Sequence, residues 1–117
     1  KMAFEGSCHC GEVTFRVDAD APRQAVRCNC SHCRRKGFLL TFAPAGQFHL
    51  LTGEEHLREY RFHSRKIRHR FCTICGVQPC ADGTAPDGAE TVMINLNCVP
   101  DIDPATLDIR DVDGASL

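Results

Sequence analysis

Apolar and polar positions alternate with a period of two along much of this chain, and no stretch sustains a helical period. Val13, Phe15 and Val17 face Glu12, Thr14 and Arg16, which predicts a strand over 11–17 that Ala21-Pro22 stops. Residues 24–27 form a second short extended run. After Gly37, Phe38-Leu39-Leu40-Thr41-Phe42-Ala43 has the length and composition of a buried strand closed by Pro44 and Gly46. Runs at 48–52 and 57–62 flank Gly53-Glu54-Glu55 and read as a hairpin, which is preferred to a capping box from Thr52 to Glu55 because no helical pattern follows. Ile67, His69 and Phe71 alternate into Cys72, residues 77–81 lead away from Cys75, and 91–96 is the last clear strand. The Gly-, Pro- and Asp-containing stretch 81–89 reads as the longest loop. Asp103-Pro104 offers a cap and first position for one helical turn.

These elements predict an all-β fold, with at most short helical turns, organised as one domain over 1–117. The chain is too short for two ordinary domains, and its core is small enough to depend on a metal. No apolar run approaches the length of a membrane span, no export signal is recognised, and a cytoplasmic setting is expected. A net charge of −1 gives no push toward nucleic acid. The charge is unevenly placed, however. Residues 58–70 are basic, and 101–113 hold five aspartates, read as a solvated tail.

Nine cysteines change the picture most, because seven of them fall into three tight groups: Cys8 and Cys10, then Cys28, Cys30 and Cys33, then Cys72 and Cys75. A Cys-x-Cys disulfide would close a small strained ring, whereas closely spaced thiolates on a turn suit zinc. Cys72-Thr73-Ile74-Cys75 followed by Gly76 has the form of such a turn. Four thiolates from the outer pairs would close one site, and three from the middle group would leave a fourth position open for catalysis.

Three signatures, Gly6-Ser7-Cys8-His9-Cys10-Gly11-Glu12-Val13, Cys28-Asn29-Cys30-Ser31-His32-Cys33-Arg34-Arg35 and Phe71-Cys72-Thr73-Ile74-Cys75-Gly76, occur in this order. Together they resemble the glutathione-dependent formaldehyde-activating enzyme family, also called the CENP-V/GFA domain family. Asn95-Leu96-Asn97-Cys98 and the later Asp113-Gly114 are similar to the end of that domain. The resemblance implies a β-rich, Mss4-like zinc fold with two ions. Cys8, Cys10, Cys72 and Cys75 would hold a structural zinc, and Cys28, Cys30 and Cys33 a catalytic one. It further implies a carbon-sulfur lyase that joins a small-molecule thiol, glutathione or a similar co-substrate, to an aldehyde such as formaldehyde.

Around the middle group several residues have two readings. His32 is a general acid or base, an outer-shell donor or a surface residue rather than a ligand, because adjacent residues rarely reach one ion with good geometry. Arg34, Arg35 and Lys36 could offset the charge of three thiolates and bind an anionic substrate, or could form a solvated turn. Arg61, Arg65, Lys66, Arg68 and Arg70 read as a polar strand face in preference to a carboxylate clasp. His9 is expected to be exposed, and Cys80 and Cys98 to be small buried hydrophobes. The alternative to an enzyme is a non-catalytic zinc-binding module for a protein or nucleic acid partner, and a methionine sulfoxide reductase fits the dense chelating cluster less well.

Overall fold

A computed structural model of the chain describes residues 2–117. Its first sheet holds three antiparallel strands in the order β1 (Phe4–Ser7), β2 (Thr14–Val17) and β5 (Phe48–Thr52). The second has seven strands, built from β3 (Gln24–Cys28), β4 (Leu40–Pro44), β6 (Leu57–Tyr60), β7 (Arg68–Cys72), β8 (Cys80–Thr84), β9 (Glu90–Asn95) and β10 (Asp108–Val112). Their order is β10-β3-β4-β9-β8-β7-β6, antiparallel except for the parallel pair β10 and β3. One α-helix, α1 (Ser31–Lys36), and several single 3₁₀ turns complete the fold. No helix among the described residues is long and apolar enough to cross a membrane.

The alternation in β2 is what joins the sheets. Phe15 and Val17 are fully buried, and Phe15 stacks on Phe48 of β5 with ring centres 5.5 Å apart. Ile94 of β9 and Leu96 just after it enter the same core. Burying side chains of this size contributes about 1.5–3 kcal/mol each. A second, smaller apolar group gathers Cys8, Val13, Leu57 and Cys72, so two of the predicted metal ligands are themselves core residues.

Three expectations are corrected. The runs 48–52 and 57–62 are not a hairpin: β5 pairs with β2, and β6 pairs with β7 in the other sheet. Gly53 has φ +89, and a Cβ there would overlap the backbone of Glu12 and Val13, so its packing against the first knuckle fixes where the chain leaves the sheet. The 3₁₀ turn Glu54–His56 then carries it across. The stretch 81–89 is mostly strand and tight turn, with β8 paired to β9 as far as Thr84 opposite Glu90. The run 38–43 is only half buried as a strand. Ala43 faces the main core, whereas Leu40 and Phe42 share the opposite face, where Leu40 is buried and Phe42 is 51% exposed.

Of the basic stretch, Arg68 and Arg70 lie in β7, where Arg68 makes two bonds to Asp82, at 2.6 and 2.9 Å; Arg61, Arg65 and Lys66 lie in the connection between β6 and β7, where Arg61 reaches Glu59 at 2.9 Å. Cys80 and Cys98 are buried, and burial first of all pushes both thiols up to about 12. The one-turn helix after Asp103 forms as expected, with the Asp103 carboxylate accepting from the Ala105 N–H at 3.0 Å.

Candidate metal centres

The first centre lies where the two sheets meet. Cys8 and Cys10 sit on the turn between β1 and β2, in which the Cys8 N–H donates to Val13 O and the Gly11 N–H to Cys8 O. Cys72 and Cys75 sit on the turn between β7 and β8, where the Cys72 N–H donates to Val77 O and the Gly76 N–H to Cys72 O. Gly11 and Gly76 have φ of +82 and +81, the left-handed conformation such knuckles require. The knuckles thus share one hydrogen-bond plan although they come from different sheets.

All four Sγ atoms lie within 4.8 Å of one another, with Cys8 to Cys10 at 3.5 Å and Cys10 to Cys72 at 3.7 Å. Cys8 and Cys72 are buried, while Cys10 and His9 face solvent. Crowding divides the thiols. Burial opposes ionisation of Cys75, but N–H groups of Cys10 and Val77 and the neighbouring thiols bring it down to about 6. Sulfurs held this close are a group that could hold a metal ion.

The second centre is local in sequence. Cys28 ends β3, Cys30 is the N-cap of α1, and Cys33 lies one turn into that helix. The Cys33 N–H donates to Cys30 Sγ at 3.3 Å and the Cys30 N–H to Cys28 Sγ at 3.4 Å, so the backbone itself organises the sulfurs. Gly37, at φ +71, closes the helix by donating its N–H to Cys33 O. The three Sγ atoms again lie within 4.8 Å, and among the described residues no fourth donor joins them. Burial, then the nearby Cys30, pushes the Cys33 thiol well above its ordinary range.

A cleft of about 460 Å³ opens beside this second centre, with Cys28, Cys33, Arg34, Phe38 and the tail residues Asp111 and Asp113 in its walls. The five aspartates are exposed, as a solvated tail would be, but Asp111 and Asp113 are also tied into the wall of the cleft. Arg27 holds Asp111 by two bonds, of 2.8 and 3.2 Å, and this pairing lowers the Asp111 pKa. Hydrogen bonds from Ser116, then from Asn29, lower that of Asp113.

Of the basic residues after Cys33, Arg34 lines the cleft, whereas Arg35 turns back and donates to Ser31 O at 2.8 Å. His32 does not line the cleft. Its ring packs among Phe38, Tyr60, Phe62 and His69 at centroid distances of 4.3–5.8 Å, and its Nδ1 is buried without a hydrogen-bond partner. Burial, then Lys36, lowers its pKa. Behind it, Gln78 donates to His69 Nδ1 at 3.2 Å, and burial followed by the His32 charge brings His69 down to about 4.

Sequence reasoning missed Asn29, Arg27, Asp111 and His69 as parts of this region. Asn29 and Asp113-Gly114 carried a signal, both as parts of the resemblance. Asn97, in the 3₁₀ turn that follows β9, also contributes by donating its amide N–H to Gly37 O at 3.2 Å, which ties the helix end to the end of the sheet.

A β-rich fold with one group of four thiols and one of three, each able to hold a metal ion, defines a class of small cysteine-centred domains. The family model described as glutathione-dependent formaldehyde-activating enzyme matches residues 3–109, and the chain belongs to that family. A Halomonas elongata protein carrying the same family name is 36% identical over 83 residues, a match covering 63% of this chain and 52% of that protein. The matched region thus spans about half the length of this curated relative. A solved Rhodobacter sphaeroides protein superposes with a TM-score of 0.81 at 29% identity, over 92% of this chain and 99% of the other.

Proposed function

We propose that residues 1–117 act as one zinc-dependent domain that joins a thiol of the glutathione type to an aldehyde of the formaldehyde type, a carbon-sulfur lyase running in the synthetic direction. The observation that carries this reading is the cleft beside a group of only three thiols. Zinc fits both donor sets: four thiolates about 2.3 Å from a tetrahedral ion have sulfurs about 3.8 Å apart, close to the spacings of 3.5 and 3.7 Å in the first centre. That centre is structural in this reading. Cys28, Cys30 and Cys33 would hold the second ion with a position left for substrate.

A zinc ion held there would supply a Lewis-acidic centre that lowers the pKa of an incoming thiol. Arg34 pairs with a substrate carboxylate at the cleft wall, and its planar fork suits that partner. Arg27, already locked on Asp111, keeps the opposite wall fixed. Held in this orientation, the thiol sulfur adds to the carbonyl carbon. One S–C bond forms, the carbonyl π pair moves to oxygen, and that oxygen takes up the proton the thiol has lost. His32 acts from behind the cleft, through the packing of α1, and not on the reacting atoms.

Native mass spectrometry with and without glutathione, paired with NMR of ¹³C-formaldehyde turnover, tests the reading. The expected result is two zinc ions, one thiol retained, and adduct formation faster than the spontaneous reaction. Two ions with no thiol retained and no acceleration would leave a non-catalytic zinc-binding module.

A further inference from the structure

We infer that Asn29 is a positioning residue that clamps the C-terminal turn 113–116 over Cys28 and thereby fixes the three-thiol centre. The inference rests on the metal reading of that centre. Asn29 lies between two of the thiols, and both ends of its amide are committed to residues more than 80 positions away. Its Nδ2 donates to Asp113 Oδ1 at 3.0 Å, and its Oδ1 accepts from the Ala115 N–H at 2.9 Å. The other Asp113 oxygen accepts from Ser116 Oγ at 2.7 Å, so the turn is closed on itself as well as on Asn29. Parallel pairing of β10 with β3 continues to Val112 opposite Cys28, and the Asn29 N–H donates to Val112 O at 3.2 Å. The strand therefore delivers the turn to the centre, and the amide locks it there.

What the turn does at the centre follows from Gly114. A Cβ on this residue would overlap Cys28 Sγ and come within 3.4 Å of the Cys30 Cβ, although its φ lies outside the left-handed region. Glycine is required there by the sulfur and not by the backbone. The Gly114 Cα thus walls Cys28 Sγ on one side and leaves the cleft as its approach from the other. Cys28 needs such a wall. It sits at the end of a strand, whereas Cys30 and Cys33 are held by helix geometry. Partners outside the ligand set typically change metal affinity by about 10–100-fold when removed.

The test measures release of each zinc ion to a colorimetric chelator from the full chain, with circular dichroism as the check on folding. Wild type is expected to release one ion quickly and one slowly. Asn29→Asp places two carboxylates face to face and is expected to speed the fast release about tenfold while the slow one is unchanged. Adding Asp113→Asn exchanges donor and acceptor: the amide introduced at position 113 donates to the carboxylate introduced at position 29, and its own oxygen still accepts from Ser116. The double variant is expected to return to within about twofold of wild type. Gly114→Ala is expected to speed the same phase without rescue. Fast release unchanged in Asn29→Asp, or no recovery in the double variant, overturns the clamp while leaving the zinc reading intact. A wild type with only one ion overturns both.

Discussion

The two thiol groups differ in where their cysteines come from, and that difference is what the proposed division of work rests on. Cys8 and Cys10 belong to the three-stranded sheet, Cys72 and Cys75 to the seven-stranded one, and a metal between them would staple the sheets where Val13 and Leu57 already pack. Cys28, Cys30 and Cys33 come from six consecutive residues, so a metal there crosslinks almost nothing. The first group closes long loops and is half buried in core. The second borders a cleft, and its distant partners are the hydrogen-bonded tail and not further thiols. Loop closure stabilises a fold; local chelation with a free position serves chemistry.

Breaking the staple is expected to have the largest effect. Cys72→Ser removes a fully buried thiol from a site where a zinc ion would, by comparison with zinc-finger peptides, supply on the order of 10 kcal/mol of folding free energy. The variant should lose its cooperative unfolding transition or be recovered only as aggregate. Retention of a wild-type thermal midpoint would show that the two sheets hold without the metal. Cys30→Ser should give the opposite pattern, with one zinc ion kept, strand circular dichroism unchanged and adduct formation reduced to the spontaneous rate. A smaller effect is expected for Arg34→Ala. Loss of one carboxylate pair should raise the KM for glutathione about tenfold with kcat changed much less, from the strength of a charge-assisted bond, and an unchanged KM would place the substrate carboxylates elsewhere.

How much of this contrast could be read from the sequence depends on how local each feature is. Period-two alternation located β2, β7 and β9, and cysteine spacing located both thiol groups, because each signal lies within a few residues. Helix α1 spans only six residues, too few for a periodic face, and no helix was expected there. Strand β10 was hidden by its aspartates, since its pairing partner β3 and the charges that answer it lie some 80 residues earlier in the chain. The supposed hairpin failed for a related reason: Gly53 answers to the backbone of Glu12 and Val13, a contact that no local turn pattern encodes. The thiols of the three-cysteine centre were legible; its walls were not.

A last predicted effect, read on stability, separates the two regions by acid. Behind the open centre, His69 is buried in a neutral form that accepts a hydrogen bond from Gln78, and its pKa falls to about 4 from an ordinary value of 6.5. A depressed histidine binds its proton later in the fold than in the unfolded chain. Its contribution to stability is therefore complete above pH 6.5 and lost as the pH falls toward 4, with about 2 kcal/mol going between pH 7 and 5. His69→Gln keeps an acceptor for Gln78 but cannot titrate. Denaturant midpoints of both proteins at pH 7 and 5 should show a steeper decline for wild type by that amount. Thiol protonation at the metal centres adds the same acid sensitivity to each protein and cancels in the difference. Equal declines would mean that His69 reaches solvent when it takes up its proton, and that the region behind the cleft opens more easily than its packing implies.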